Sequence, residues 1–240
     1  MGEFLMKLSG ETYSSLIVVV ILCVLMVIIG NKVKKADPLK PSKGLAFVGE
    51  YVVSFVDGFV ENNMGKRYDK LKPYFLVLMM MIPSYFLIGL FGLPSPMTLY
   101  SVPLTLALIT FVLIHLNSIR FTKWKYFKRF VDPFPKVPVF LPINIIAMFA
   151  PIISLSFRLF GNALSGMIIM QLVYFVTESL TGLLIGIPGL NIFGPILAPV
   201  LHAYFDIFSA VIQTMVFVYL TAFFVQGEEP DEIEEESALA

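Results

Sequence analysis

The sequence predicts an all-α integral membrane protein with about five membrane-crossing helices and one amphipathic helix at the membrane surface. Hydrophobic residues make up 58% of the 240 residues and charged residues 14%, whereas soluble domains have about 25% charged residues. Several uncharged runs also exceed the roughly 18 residues that mark a transmembrane candidate. Together, composition and run length exclude an ordinary soluble domain.

Three apolar runs and one amphipathic run account for the first half of the chain. The amphipathic run, residues 45–63, has a helical period that places its polar side chains on one face. It is therefore predicted to lie flat on the membrane, with a short helix capping a soluble loop as the alternative. Its polar side chains are Glu50, Ser54, Asp57 and Glu61. The three predicted spans are residues 13–29, 73–92 and 99–118, and basic stretches follow the first span at 31–43 and the third at 120–136.

The second half contains two apolar segments that are too long for upright spans. In residues 137–177 the only charge is Arg158, and a helix of this length would measure about 60 Å, twice the roughly 30 Å hydrocarbon thickness. We predict either two spans or one long, steeply inclined helix packed against a protein partner, which a short re-entrant piece broken at Pro151 could precede. The last segment, residues 192–225, is also overlong and carries only Asp206. The last two helices are thus expected to be long and inclined.

The basic residues predict the orientation of the chain. Fifteen of the 17 Lys and Arg residues lie in residues 31–43, 66–72 and 120–136. These stretches share one side if the first span exits to the cytoplasm and the next two spans form a hairpin. Only Lys7 then lies opposite. The positive-inside rule predicts an external N-terminus, and a net single crossing by the long segment puts the C-terminus in the cytoplasm.

Several kinds of chemistry are not encoded in the sequence. Cys23 is the lone cysteine, so no disulfide forms within the chain. There is no cluster of Cys and His for a metal, no GxxxxGK[ST] phosphate-binding loop and no nucleophile–base constellation. We expect no cofactor, no metal, no nucleic acid and no covalent catalysis.

Arg158 is the most informative residue in the sequence. Its nearest charged neighbours, Lys136 and Glu178, are about 20 residues away, so its side chain cannot reach a membrane surface along its own helix. A buried Arg costs about 2.5 to 3.5 kcal/mol on insertion scales and stays protonated. We expect a functional charge in an ion or substrate path; the alternative is a structural Arg paired with Glu178 or Asp206.

Two polar stripes accompany this arginine. At helical spacing, the first stripe contains Ser154, Arg158, Asn162 and Ser165, and the second contains His202, Asp206, Ser209 and Gln213. Gly161 and Gly166 are predicted to allow close approach by a neighbouring helix. With the predicted orientation, Gln171, Glu178, His202 and Asp206 collect in the outer half of the membrane. The pattern indicates an aqueous path from outside that ends at a fixed cation.

The segment Ser154-Leu155-Ser156-Phe157-Arg158-Leu159-Phe160-Gly161-Asn162, followed by Gly166, resembles the signature of subunit a of F-type ATP synthases. The last helix with Gln213, the span beginning at Pro73-Tyr74-Phe75 and the segment spacing agree with that family. The resemblance covers nearly the whole chain, and the R-L-F-G-N motif is highly specific.

The resemblance implies roles for individual residues. Arg158 would face the membrane carboxylate of the rotor ring and separate two offset half-channels, with Asn162 and Gln213 holding it. Many relatives have Glu at the position of Met167, and many have an acid near Ala147 and Met148. Asp206 stands where the family often has His or an acid. The outer path is therefore expected to rest on Asp206, with His202 and Glu178 as helpers.

The resemblance also implies partners and an organisation. The partners would be a ring of c subunits, b-type subunits of the peripheral stalk and the lipid bilayer of a bacterial plasma membrane. We expect one membrane domain over residues 1–240, with an outer segment at 1–12. Residues 13–136 would hold the peripheral spans, the interfacial helix and the basic loops, and residues 137–226 the ion-path helices. The acidic tail, residues 227–240, would be disordered.

Two other functions are consistent with parts of the pattern. A small secondary transporter could use Arg158 to bind an anionic substrate, but such proteins have internal repeats and the two halves show none. A structural membrane scaffold or insertase-like protein would leave the second polar stripe unexplained.

Overall fold

The protein is described by a computed structural model, which covers residues 9–35, 43–123, 141–187 and 189–227. Every regular element among these residues is helical, as predicted. The α-helices are α1 (Gly10–Lys35), α2 (Leu45–Met64), α3 (Lys72–Leu87), α4 (Ser101–Thr122), α5 (Leu141–Ile185), α6 (Phe193–His202) and α7 (Ser209–Gln226). Short 3₁₀ segments lie at Lys66–Leu71, Ile88–Phe91 and Pro96–Thr98, and a π-helical segment lies at Ala203–Phe208.

Five helical stretches in the described part of the chain are long and apolar enough to cross a membrane, which confirms the predicted number. They are Gly10–Lys35, Lys66–Phe91, Ser101–Arg120, Ile145–Ile185 and Phe193–Gln226. Many of their large apolar side chains are exposed; Val20 and Val27 of α1 are 60% and 62% exposed. Such a surface is stable only in contact with lipid or other apolar protein.

The long segment around Arg158 is one continuous helix of 45 residues, α5. Pro151 lies inside it without ending it, so the predicted alternatives of two spans or a break at this proline are wrong. A proline removes a single backbone donor, and neighbouring groups can compensate for this in membrane helices. At about 67 Å the helix is more than twice as long as the roughly 30 Å hydrocarbon thickness; the predicted long helix is confirmed, and its inclination stays a prediction. Residues 137–140, and residues 228–240 of the acidic tail, lie outside the described residues.

The last segment is helical from Phe193 to Gln226, as predicted, but it is not uniform. The π-helical segment at Ala203–Phe208 separates α6 from α7. The sequence analysis did not predict this wider turn, which contains Asp206.

The described helices fall into two compact units, one in residues 1–99 and 159–216 and the other in 100–158 and 217–240. In the first unit, Phe75 and Ile82 of α3 are fully buried. The hydroxyl of Tyr85 lies 3.0 Å from Ser15 Oγ of α1, and Ser95 Oγ donates to the Tyr85 carbonyl at 2.7 Å. The behaviour of residues 1–240 as a single domain remains a prediction.

The second unit joins α4 to the first part of α5. The rings of Phe111 and Phe149 stack with centroids 5.6 Å apart, and those of Tyr100 and Phe157 are 5.4 Å apart. The Tyr100 hydroxyl also lies 3.4 Å from Ser156 Oγ. Aromatic packing therefore fixes the part of α5 that carries Arg158 against α4.

The polar face of α2 is partly neutralised by one lysine. Lys72 Nζ lies 2.8 Å from Glu61 Oε1, 2.9 Å from Asp69 Oδ1 and 3.9 Å from Asp57 Oδ1. The lysine therefore ties the start of α3 to α2. The position of α2 at the membrane surface, expected from its amphipathic pattern, stays a prediction.

The contact between α1 and α2 depends on the absence of a side chain at Gly49. A Cβ atom placed there would lie 2.2 Å from Ile29 Cγ2 and 3.4 Å from Val33 Cγ2. Ile is β-branched and has few alternative rotamers in a helix, so the helices themselves would have to move apart.

We therefore expect Gly49→Ala to destabilise the protein by about 1 to 3 kcal/mol, the usual cost of overpacking. Gly58→Ala is the matched control, because it lies on the same helix and a Cβ there has nothing within 4 Å. It should be neutral or slightly stabilising, since Ala is the better helix former. Thermal unfolding in detergent would show the difference, and equal midpoints for the two variants would contradict this account of the helix contact.

Candidate functional site

The first compact unit contains a cavity of about 200 Å³ between the end of α3, the middle of α5 and the π-helical segment; we call it the Asp206 cavity. Its wall is mostly apolar, with Phe86, Leu93, Met167, Met170 and Phe205 among the lining side chains. Polar groups reach it at a few positions only: Ser95, Thr98, Asn162, Gln171, Tyr174, His202 and Asp206. Asp206 supplies the sole carboxylate among the lining residues.

Three of these polar side chains form a hydrogen-bonded chain. His202 Nδ1 lies 2.6 Å from Asp206 Oδ2, and His202 Nε2 lies 3.2 Å from the Tyr174 hydroxyl. The side chains of His202 and Asp206 are 31% and 21% exposed. Both nitrogens of the imidazole thus have a partner, and the carboxylate is bound through one of its oxygens.

Local backbone geometry brings the Asp206 carboxylate to the cavity. The residue lies within the π-helical segment, and such widened turns often occur at functional sites because they redirect side chains. Gly89 faces it; a Cβ at Gly89 would lie 3.8 Å from Asp206 Oδ2. Gly166 of α5 faces the Phe205 ring in the same way, at 3.6 Å. The predicted close approach therefore applies to Gly166, whereas a Cβ at Gly161 would have no neighbour within 4 Å.

The link between α5 and α6 is fastened by Asn191. Its Nδ2 donates to the Tyr174 carbonyl at 3.2 Å and to Thr177 Oγ1 at 3.0 Å. Its Oδ1 accepts from the Gly194 backbone N–H at 2.7 Å. A Cβ at Gly194 would lie within 2.8 Å of the Asn191 side chain, so only glycine allows this arrangement. These bonds fix the first turn of α6 against α5, and α6 ends at His202, which contacts Tyr174.

The predicted site residues do not all meet at this cavity. Asn162, His202 and Asp206 line it. Glu178 is exposed and lies one turn beyond Tyr174 on α5, outside the lining. Gln213 is 8% exposed and lies about two turns after Asp206; its Oε1 is buried with no hydrogen-bond partner among the described residues.

Two serines of the polar stripes, Ser165 and Ser209, are satisfied within their own helices. Ser165 Oγ donates to the Asn162 carbonyl at 3.1 Å, and Ser209 Oγ to the Tyr204 carbonyl at 3.5 Å. Such bonds are common for hydroxyl side chains in apolar helices. The serines thus need no functional explanation, which leaves the charged and amide groups as the informative members of the stripes.

Arg158 lies on α5 one turn before Asn162, and its side chain is half-buried. It belongs to the second compact unit, whose described residues contain no Asp or Glu. A permanent cation is therefore held in an apolar helix with no carboxylate in the described part of its own unit.

Two residues that set the geometry near the Asp206 cavity, Tyr174 and Asn191, were not predicted from the sequence. Tyr174 lies 28 residues from His202 in sequence, and nothing in the helical period pairs them. Asn191 carried a weak signal, because an Asn three residues before a glycine at the start of an apolar run is typical of a side-chain turn.

The similarity of this chain to known proteins extends over nearly all of the described residues. The family model of the ATP synthase A chain matches residues 12–226, which include Arg158 and all residues that line the Asp206 cavity. The chain belongs to the ATP synthase A chain family.

Individual relatives agree with this family membership. The chain is 34% identical to ATP synthase subunit a of Mycoplasma genitalium over 216 residues, which are 85% of this chain and 74% of the relative. It is 32% identical to that of Mycoplasma pneumoniae over 89% of this chain and 76% of the relative. With that of Desulfotalea psychrophila it shares 34% identity over 79% of this chain and 73% of the relative.

Proposed function

We propose that this chain is the ion-translocating stator subunit of a rotary F-type ATP synthase in a bacterial plasma membrane. The observation that carries the proposal is Arg158, a permanent cation in an apolar helix, placed one turn from a residue that lines the Asp206 cavity. Family membership supports the same function. The subunit performs no covalent chemistry; it couples ion flow to rotation, and other subunits handle ATP.

Arg158 acts on a carboxylate that the rotor ring of c subunits carries past it. A nearby cation favours the ionised form of a carboxyl group and lowers its pKa. The rotor group therefore releases its ion on approach, passes Arg158 as an anion, and takes up an ion from the other side. Since Arg158 cannot lose its proton, it also blocks direct leakage of cations between the two half-channels. Each charge that crosses contributes about 2.3 kcal/mol per 100 mV.

Asp206 is the main ionisable group of the outer half-channel, with His202 bound to it. Met167, where many relatives carry Glu, also lines the Asp206 cavity, so the wall lacks a second carboxylate. Glu178 is exposed beyond Tyr174, which suits a group at the entrance. Asn162 lines the cavity next to Arg158 along α5. Gln213 Oε1 is a buried acceptor with no hydrogen-bond partner in the described part of the chain, and leaving such an acceptor unpaired costs about 1 to 3 kcal/mol. It could therefore accept a hydrogen bond from a donor group of the ion path.

The subunit works in a complex and has a fixed orientation. Its partners are the c-subunit ring, b-type subunits of the peripheral stalk and the surrounding lipid. The distribution of Lys and Arg supports an external N-terminus and a cytoplasmic C-terminus.

Replacing Arg158 with Ala should abolish both ion-driven ATP synthesis and ATP-driven ion pumping, while the complex still assembles. Arg158→Lys should restore little, because Lys lacks the delocalised planar fork and can lose its proton when buried. The measurements are synthesis and pumping in reconstituted vesicles, normalised to the amount of intact complex. Coupled activity at the normal level in the Ala variant would remove the central claim.

Asp206→Asn removes the titratable group at nearly constant volume and should lower ion-driven synthesis at least tenfold per assembled complex, an effect of more than about 1.4 kcal/mol. Adding Met167→Glu should restore part of the activity, because both positions line the same cavity. Glu178→Gln is the control and should have a much smaller effect. If Asp206 only stabilises the fold through His202, the yield of complex would fall and the turnover of each complex would stay normal.

The orientation can be tested with single cysteines at Ser9 and Ser237 after Cys23→Ala. A membrane-impermeant maleimide should label position 9 only from outside and position 237 only from the cytoplasmic side. Labelling of both positions from one side would show that the chain crosses the membrane an even number of times.

A further inference from the structure

The His202 ring is held from both sides by groups on different helices. An ionised Asp206 carboxylate can only accept a hydrogen bond, and with that state the 2.6 Å contact at Nδ1 requires the proton to be on Nδ1. In the neutral ring, Nε2 is then an acceptor, and in the imidazolium it is a donor. The Tyr174 hydroxyl lies 3.2 Å from His202 Nε2. It can form a hydrogen bond with Nε2 in both protonation states, because a hydroxyl both donates and accepts.

This arrangement fixes the Asp206 carboxylate. Its Oδ2 is bound to His202, while Oδ1 makes no hydrogen bond with the described residues. A ring held only by Asp206 could turn about its side-chain bonds together with the carboxylate. A ring also held by Tyr174 cannot turn without losing a hydrogen bond, so the direction of Oδ1 is set.

The backbone of Tyr174 is anchored independently of its side-chain hydroxyl. Asn191 binds the backbone carbonyl of Tyr174 and the first turn of α6 through Gly194. The distance between α5 and α6 is therefore set by backbone contacts that do not involve the phenol. Removing the hydroxyl alone should leave these contacts in place.

We propose that Tyr174 is a positioning residue of the outer ion path: it holds His202, and through His202 it directs Asp206 Oδ1 toward the transported ion. The inference rests on the proposed function, in which Asp206 is the main ionisable group of that path. The titratable side chains among those that line the cavity are Tyr174, His202 and Asp206. No other ionisable lining group therefore competes for the imidazole.

The test is Tyr174→Phe in the whole complex, reconstituted in vesicles. Loss of one hydrogen bond should lower ion-driven ATP synthesis per assembled complex roughly 2- to 10-fold. Tyr204→Phe is the matched control. Tyr204 lies in the π-helical segment but does not line the cavity, and its ring contacts with Phe205 and Phe208 persist in Phe. It should have normal activity.

A double-mutant cycle with His202→Gln separates positioning from a general packing effect. If Tyr174 acts through His202, Tyr174→Phe should cause no further loss in the His202→Gln background, whereas independent effects multiply. If the Phe variant does not assemble, the turnover of His202→Gln alone decides the question, because the proposal requires His202 to pass the constraint on to Asp206.

Three outcomes would overturn the inference: normal turnover in Tyr174→Phe, normal turnover in His202→Gln, or losses that multiply in the double variant. Failure here is distinguishable from failure of the proposed function. If Arg158→Ala and Asp206→Asn abolish coupling while Tyr174→Phe does not, only the role of Tyr174 is removed.

Discussion

The cost of placing charge in hydrocarbon is the constraint on which the rest of this structure depends. In the lipid core every backbone N–H and C=O must be paired within the protein, which leaves helices as the spanning element. An ionised side chain on such a helix costs several kcal/mol unless a partner or water compensates it. The chain therefore carries few charges along its apolar helices, and those it carries are informative. Arg158 and Asp206 stand out for this reason, one as a permanent cation and the other as a titratable anion.

The same constraint explains how side chains far apart in sequence come together. A polar group in apolar surroundings needs a polar partner, and the two overlong helices exchange hydrogen bonds where they meet in the first compact unit. Asn191 satisfies a carbonyl of α5 and an N–H of α6 at once, and Thr181 Oγ1 accepts from the Ile192 N–H at 3.3 Å. These bonds fix the distance between α5 and α6 at the point where the chain reverses its direction. His202 then reaches Tyr174, and the cavity acquires its polar wall.

The spans, Arg158, Asn162 and the His202–Asp206 stripe were predictable because each follows from a local pattern of apolar runs or helical spacing. The geometry of the cavity was not, because it depends on side-chain contacts between helices. Tyr174 and Asn191 have no periodic relation to their partners. The π-helical turn at Asp206 and the unbroken helix through Pro151 depend on how neighbouring groups compensate the backbone, which local propensity does not encode. Gln213 was predicted as a site residue, but its unpaired acceptor is visible only in the structure.

A cavity wall with a single carboxylate makes the direction of that carboxylate important. Two facing acids can pass an ion between them over a range of geometries, since either can rotate to meet it. In the proposed function, Met167 stands where the resemblance implies an acid, so Asp206 alone would meet the incoming ion, and each wrong rotamer would lose a transfer. A rigid hydrogen-bonded support prevents such rotation, as hydrogen bonds to metal-binding and catalytic side chains do in other proteins. If Asp206 has the proposed role, the hydrogen bond between Tyr174 and His202 compensates for the absence of a carboxylate at position 167. The two features belong together: a chain with the second carboxylate would need the tyrosine hydroxyl less.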